Sequence, residues 1–174
     1  KFGAEVPFIR PAHLAQDDSV SFDAIEHALE FNEYKNQYDI LVLLEPTSPL
    51  REVEDIDNAL EKLISLKGAK SIVGISLSES QNPAFLLSLD EQGIVKPLGS
   101  FNNNLRRQDL EKVYFLEGTI YASWIKTYLR ERGFYHEKTA GYIVPKWKSF
   151  EVDDIVDWYC IDAIMKNIKE IKNA

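Results

Sequence analysis

The chain has 174 residues, 45% of them hydrophobic and 28% charged, a length that makes one domain and buries roughly two thirds of its unfolded surface without staples. With 20 Lys and Arg against 28 Asp and Glu, the net charge of −8 excludes a general nucleic-acid binder, which needs a broad basic face, but not a small anionic substrate met by a few converging cations. The single cysteine, Cys160, excludes an internal disulfide framework or a cysteine-based zinc site and points to the cytoplasm, and no apolar run approaches the roughly 18 residues that span a bilayer.

Residues 6–9 form a short extended segment limited by Pro7 and Pro11. Asp17, Asp18, Ser19 and Ser21 offer N-caps for a helix running to about residue 35, with Phe22, Ile25 and Leu29 on one stripe. The unbroken apolar run 39–44 predicts a buried strand of the kind common in parallel sheets. It stops at Glu45-Pro46-Thr47-Ser48-Pro49-Leu50-Arg51, where two prolines forbid both helix and ladder and leave a stiff, shaped loop. A helix with Val53, Ile56, Leu60, Leu63 and Ile64 at helical spacing closes at Lys67-Gly68, and residues 70–76 read as a central strand. Strand, loop, helix, strand is a βαβ order, which implies an α/β sheet. A hairpin follows, from residues 85–89 through Asp90-Glu91-Gln92-Gly93 to Ile94-Val95. Residues 99–104 are a polar loop, 113–124 an apolar and aromatic run, and a short helix ends near Gly133. Residues 142–144 and 149–152 read as short strands, and a last helix buries Trp158, Ile161, Met165 and Ile168.

Open α/β sheets bind ligands beyond the carboxyl ends of their strands, which directs attention to the loop after Leu44. Thr47 and Ser48 supply hydroxyls there, and the prolines hold the backbone ready to grip a polar ligand; a rigid connector with a helix cap has the same pattern. In an extended run, Glu151 and Asp153 lie two apart on one face, and paired carboxylates of this kind suit Mg2+. Capping of the last helix by Asp153 or Asp154 is the alternative. Arg10, Arg51, Arg106 and Arg107 sit in or beside loops, where an arginine fork binds carboxylate or phosphate or balances surface charge. His13, His27 and His136 are isolated and suit surface or packing roles, Cys160 a buried one, and Phe134 and Tyr135 either a pocket wall or the core.

Four of these segments, in order, resemble the acylneuraminate cytidylyltransferase (CMP-sialic acid synthetase) family. Phe8-Ile9-Arg10-Pro11 with residues 17–21 is similar to its Arg-Pro segment, and Leu44-Glu45-Pro46-Thr47-Ser48-Pro49-Leu50-Arg51 to its Leu-Gln-Pro-Thr-Ser-Pro-Leu-Arg loop. Arg107-Gln108 with Gly118-Thr119-Ile120-Tyr121 resembles its Arg-Gln…Asn-Gly-Ala-Ile-Tyr stretch, and Glu151-Val152-Asp153 with Asp157-Trp158 its Asp-Ile-Asp metal motif and trailing Asp-Trp. The resemblance implies a single domain over residues 1–174 with a three-layer, Rossmann-like nucleotide-diphospho-sugar transferase sheet. A small β dimerisation arm over about residues 82–121 protrudes from it, and the protein is a homodimer.

The implied reaction is attack by the anomeric hydroxyl of a nine-carbon 2-keto sugar acid on the α-phosphate of CTP, with Mg2+ as cofactor. By motif position Glu151 and Asp153 hold the metal, Asp153 helps to deprotonate the hydroxyl, and Arg10, Ser19 and Ser21 face the nucleotide. Glu45, Thr47, Tyr121, Phe134 and Tyr135 face the sugar, and Arg107 meets its carboxylate, in the neighbouring subunit if the arm crosses over. Glu45 in place of Gln implies a variant nonulosonate, and Glu151 in place of Asp a longer metal-binding reach. The family's basic Arg-Gly-Gly-Ser-Lys loop is not among these residues, whose first is Lys1, so the natural protein is expected to begin upstream and these 174 residues alone to have little or no synthetase activity. Other sugar nucleotidyltransferases, nucleotide-sugar glycosyltransferases of related fold, and a non-catalytic oligomerisation module are the competing readings.

Overall fold

The computed structural model describes residues 3–31, 36–79, 82–98 and 106–173. The elements in chain order are α1 (Ser21–Leu29), β1 (Ile40–Leu43), α2 (Val53–Ser65), β2 (Ser71–Leu77), β3 (Leu87–Leu89), β4 (Val95–Pro97), β5 (Tyr114–Trp124), α3 (Ile125–Glu131), β6 (Thr139–Ile143), α4 (Ile155–Lys166) and α5 (Ile168–Asn173). β1, β5, β2 and β6 form one sheet in that order, and β3 pairs with β4 in a separate hairpin.

The sheet is mixed. β1 and β2 run the same way but are not neighbours, because β5 lies between them and is antiparallel to both; the parallel pair is β2–β6. The expected βαβ order is therefore present, with a later strand inserted into its middle. β1 is correspondingly half-buried rather than a central parallel strand. The core lies on one face, where Ala59 and Leu63 of α2 pack on Ile72, Ile120 and Ala122, all at most 1% exposed. Their i, i+4 spacing on α2 matches the i, i+2 spacing on β5, as helix-on-sheet packing requires. Tyr121 follows Ile120 and turns to the other face, where Tyr121, Phe134, Tyr128 and Phe22 form a chain of ring contacts at 4.7–5.6 Å.

Register breaks in the middle of the sheet. From Val73 to Ile75 β2 advances two residues, while the partners on β5 run back five, from Tyr121 to Leu116. Residues 117–120 thus bulge out of the ladder, a device that frees backbone groups and re-aims side chains.

Four local expectations are corrected. The N-cap of α1 is Val20, without a side-chain cap; Ser19 instead braces the preceding turn, accepting from Gln16 N at 2.9 Å and donating to His13 O at 3.3 Å. Residues 149–152 are not a strand but an irregular run after a 3-10 turn at Lys146–Lys148. The stripe of the last helix is not buried as a unit. A break at Asn167 puts Ile168 in a separate helix, and while Ile161 is buried, Trp158 and Met165 are 58% and 57% exposed. Finally, α1 ends at Leu29, with Glu30 as its C-cap, and not near residue 35; α3 ends beside Gly133 as expected, with Arg132 in the left-handed conformation (φ 57°). The hairpin forms as expected, its turn closed by Asp90 accepting from Gln92 N and Ile94 N, with Gly93 at φ +80°. The polar loop 99–104 and the side chain of Arg107 lie outside the described residues. Of the range 82–121, residues 87–97 carry the hairpin and 114–121 are part of β5 in the main sheet.

Candidate active site

β1 cannot extend past its end because Pro46 has no N–H for a ladder. The chain leaves the sheet at Glu45 and turns twice, with Ser48 N donating to Glu45 O at 3.3 Å and Arg51 N to Ser48 O at 3.5 Å. Arg51 then reaches back across the gap. Its Nη2 donates to Glu45 O at 2.7 Å and Gly118 O at 3.1 Å, and its Nε to Thr119 O. The bulge in β5 is what leaves those two carbonyls without ladder partners. Arg51, one of the four cations with a possible anion-binding role, thus spends its fork on the backbone and joins loop to strand. Burial pulls its pKa down from the usual arginine value, opposed by the surrounding carboxylates of Glu117, Glu45, Asp55 and Glu151.

The third wall is the run after Lys148. Val152 N donates to Thr47 O at 2.9 Å, and the Glu151 carboxylate accepts from Gly118 N. The proline loop, the bulge and the late acidic run therefore meet, although about a hundred positions separate the first from the last. Close approach at this junction requires glycine: a Cβ on Gly118 would stand 2.5 Å from Ser48 Oγ and 2.7 Å from Glu151 Oε1. Of the acids, Asp154 caps α4, accepting from Val156 N at 2.7 Å and Asp157 N at 3.1 Å. Asp157 in turn accepts from the backbone N–H groups of Asp153 and Asp154. Asp153 is exposed, and its carboxylate has no partner among the described residues. Among those residues no three His, Cys, Asp or Glu side chains gather into a ready-made metal cage.

Glu117 is a site residue that motif reasoning missed, although a lone acid inside the apolar run 113–124 was a signal. It is 2% exposed, and its Oε2 accepts from Thr119 Oγ1 at 2.5 Å and Thr119 N at 3.1 Å. Among the described residues its Oε1 has no partner, and neither has Ser48 Oγ, 1% exposed. Burial raises the Glu117 pKa above the usual carboxylate value; the bonds from Thr119 oppose this, and the charges of Glu151 and Asp55 add to it. The Tyr121 hydroxyl is pushed up to about 12, chiefly by burial and then by Glu151, Glu117 and Glu45.

Arg10, Ser19, Ser21 and Glu45 line one cavity of about 220 Å³ between the start of α1 and the end of β1. Residues expected on the nucleotide side and one expected on the sugar side thus share a wall. Phe134 stands against Tyr121 with ring centroids 5.6 Å apart. Tyr135 does not join them: it is 76% exposed and borders a different hollow, with Tyr114, Leu116 and Gly141. His136 has a packing role. Lys138 N donates to its Nδ1, so its Nε2 carries the proton and donates to Ser71 Oγ at 2.8 Å, the reverse of what a Ser–His nucleophile needs.

The chain is 33% identical to a CMP-N,N'-diacetyllegionaminic acid synthase of Legionella pneumophila over 175 residues, covering 95% of this chain and 71% of that protein. To an N-acylneuraminate cytidylyltransferase of Streptococcus agalactiae it is 32% identical over 145 residues, covering 83% of this chain and 34% of that longer protein. A pseudaminic acid cytidylyltransferase of Campylobacter jejuni is 27% identical over 158 residues, with 90% and 67% covered. No family model matches the chain.

Proposed function

The chain belongs to the acylneuraminate cytidylyltransferase family, a class of nucleotidyltransferases, and from that premise we propose that it transfers CMP from CTP to the anomeric hydroxyl of a sialic-acid-like nonulosonate, releasing pyrophosphate. The observation that carries this reading is the junction of Thr47 with Val152 and of Gly118 with Glu151, which sets the proline loop beside the late acids. The reading also includes the three-layer nucleotide-diphospho-sugar transferase arrangement, a cytoplasmic location and a homodimer. A second copy would cover the hairpin, where Leu87, Leu89 and Val95 are each at least 50% exposed.

Nucleotidyl transfer depends on positioning and on neutralising developing charge. The donor chemistry of Glu151 and Asp153 fits Mg2+: both offer hard carboxylate oxygens, and Mg2+ commonly takes one or two carboxylates and draws its remaining ligands from phosphates and water. Bound there, Mg2+ would neutralise charge on the triphosphate. Asp153, exposed and unpartnered, is the carboxylate available to take the proton of the attacking hydroxyl. Arg10, Ser19 and Ser21 would hold the nucleotide, and Glu45 would select a sugar substituent that donates a hydrogen bond, beside Thr47, Tyr121 and Phe134. Arg107 completes the sugar side, at the sugar carboxylate.

The test is pyrophosphate release dependent on both CTP and a nine-carbon 2-keto sugar acid, run on this chain and on the same polypeptide extended to the length of the Legionella relative. Release is expected from the extended form and little or none from the 174 residues, which contain no basic glycine-rich loop to hold the triphosphate. Release driven by a sugar 1-phosphate instead would replace this reading with the related nucleotidyltransferase one. Asp153→Asn in the extended form should lower turnover at least about a hundredfold at saturating Mg2+; undiminished turnover removes the metal assignment.

A further inference from the structure

Close to this junction lies a buried ion pair that the proposed chemistry does not use. Lys148 is 6% exposed and Asp55 3%. Lys148 Nζ donates to Asp55 Oδ1 and Oδ2 at 2.7 Å each and forms an ion pair with Glu52 Oε2 at 2.8 Å, so all of its donors are spent on carboxylates. Asp55 is equally engaged: it also accepts from Glu52 N at 2.7 Å, closing the capping box at the start of α2, and from Tyr142 OH at 3.1 Å. Lys172 of α5 reaches Glu52 from the far side. The first turn of α2, the end of β6, the turn before Glu151 and α5 therefore converge on one cluster.

A buried ion pair is poor value for stability, because desolvating two charges offsets most of their attraction and apolar residues of the same volume do as well. What such a pair supplies is register: three donors in fixed directions on a carboxylate that is itself held by a helix end. The sequence spacing makes that register matter here. Glu52 directly follows Arg51, the last residue of the proline loop, and Lys148 precedes Glu151 by three residues. The cluster thus stands a few residues from both segments, while the acidic run is bonded to the loop through Val152 N–Thr47 O and to the bulge through Glu151–Gly118 N. We infer that Lys148 and Asp55 are positioning residues that set the spacing between the proline loop and the acidic run. Their relevance to catalysis rests on the function proposed above, but the geometric claim does not.

Amide hydrogen exchange followed by NMR on this chain, together with urea unfolding, tests the claim. Lys148→Met leaves Asp55 buried without its partner and is expected to speed exchange at both Val152 and Gly118 at least tenfold, with a lower urea midpoint. The deciding variant is the apolar pair Lys148→Met with Asp55→Leu, in which the urea midpoint and the exchange of β2 amides such as Val73 return to wild-type values. Val152 and Gly118 should nevertheless still exchange at least tenfold faster than in the wild type. If their protection returns with stability in the double variant, the pair is merely structural and the inference is overturned, as it is if Lys148→Met leaves both amides at wild-type rates. Should neither apolar variant fold, Lys148→Arg decides: the charge remains but the donor geometry changes, and wild-type exchange at both amides overturns the inference. None of these rates depends on turnover, so failure of the nucleotidyl-transfer reading would appear in the pyrophosphate assay alone.

Discussion

Gly118→Ala is the sharpest probe of the junction between the three walls. The new Cβ would stand 2.5 Å from Ser48 Oγ, 2.7 Å from Glu151 Oε1 and 3.2 Å from Glu151 Cδ. Ser48 is 1% exposed and has nowhere to retreat, whereas Glu151 is only half-buried and can swing outward. Swinging outward breaks its bond from Gly118 N, a charge-assisted contact whose loss costs about 1.5–3 kcal/mol. The residual crowding on Ser48 adds about 1 kcal/mol, at the low end for overpacking. Against this, alanine gains about 0.4–1 kcal/mol by restricting the unfolded chain. The net expectation is a loss of roughly 3 kcal/mol, which for a domain of this size lowers Tm by about 6–12 °C. Gly133→Ala is the matched control, since nothing lies within 4 Å of its Cβ; it should leave Tm unchanged or slightly raised. In a Glu151→Ala background the cost of Gly118→Ala should shrink by about 1 kcal/mol or more, because one of the two obstructions is gone. Urea and thermal denaturation of the wild type and the four variants measure all three quantities. A Gly118→Ala loss below about 0.5 kcal/mol would show that the loop, strand and acidic run do not meet at this point.

Two further predictions concern the charges around that junction. Burial holds the pKa of Glu117 above its unfolded value, so between the two values the native chain binds the extra proton, and stability falls as pH rises through that window. Glu117→Gln removes the ionisation: the variant should melt above the wild type at about pH 8, with the gap closing toward about pH 4, where both side chains are neutral, and parallel Tm–pH curves would refute this. Arg51→Lys keeps the charge but loses the fork that spans Glu45 O, Gly118 O and Thr119 O, and should cost about 1–3 kcal/mol in urea unfolding; wild-type stability would mean that charge alone suffices.

What could be read from the sequence divides along a physical line. Hydrophobic patterning is local, and it located β1, α2 and β2 because each buries side chains whose spacing is written in consecutive residues, while the exposed hairpin was marked by its Asp90–Gly93 turn. The prolines at 46 and 49 stated where β1 ends and why, since the missing N–H is a property of the residue itself. The same local logic misplaced the burial of the last helix, because a periodic stripe shows which residues share a face but not whether anything covers it. It also read residues 149–152 as a strand, where the bonds from Val152 to Thr47 and from Glu151 to Gly118 hold an irregular run in place.

The sequence by itself determined the α/β class, the stiff loop after Leu44 and the late pair of acids, because those depend on residue type and near-neighbour spacing. Only the tertiary structure decided that β5 would lie between β1 and β2 and bulge at Gly118. That bulge gives Arg51 two of its three carbonyl partners, and the fold around it buries Glu117 and joins Thr47 to Val152. Strand order and register depend on pairings between residues scores of positions apart, and such a pairing leaves no trace in the local pattern of either partner.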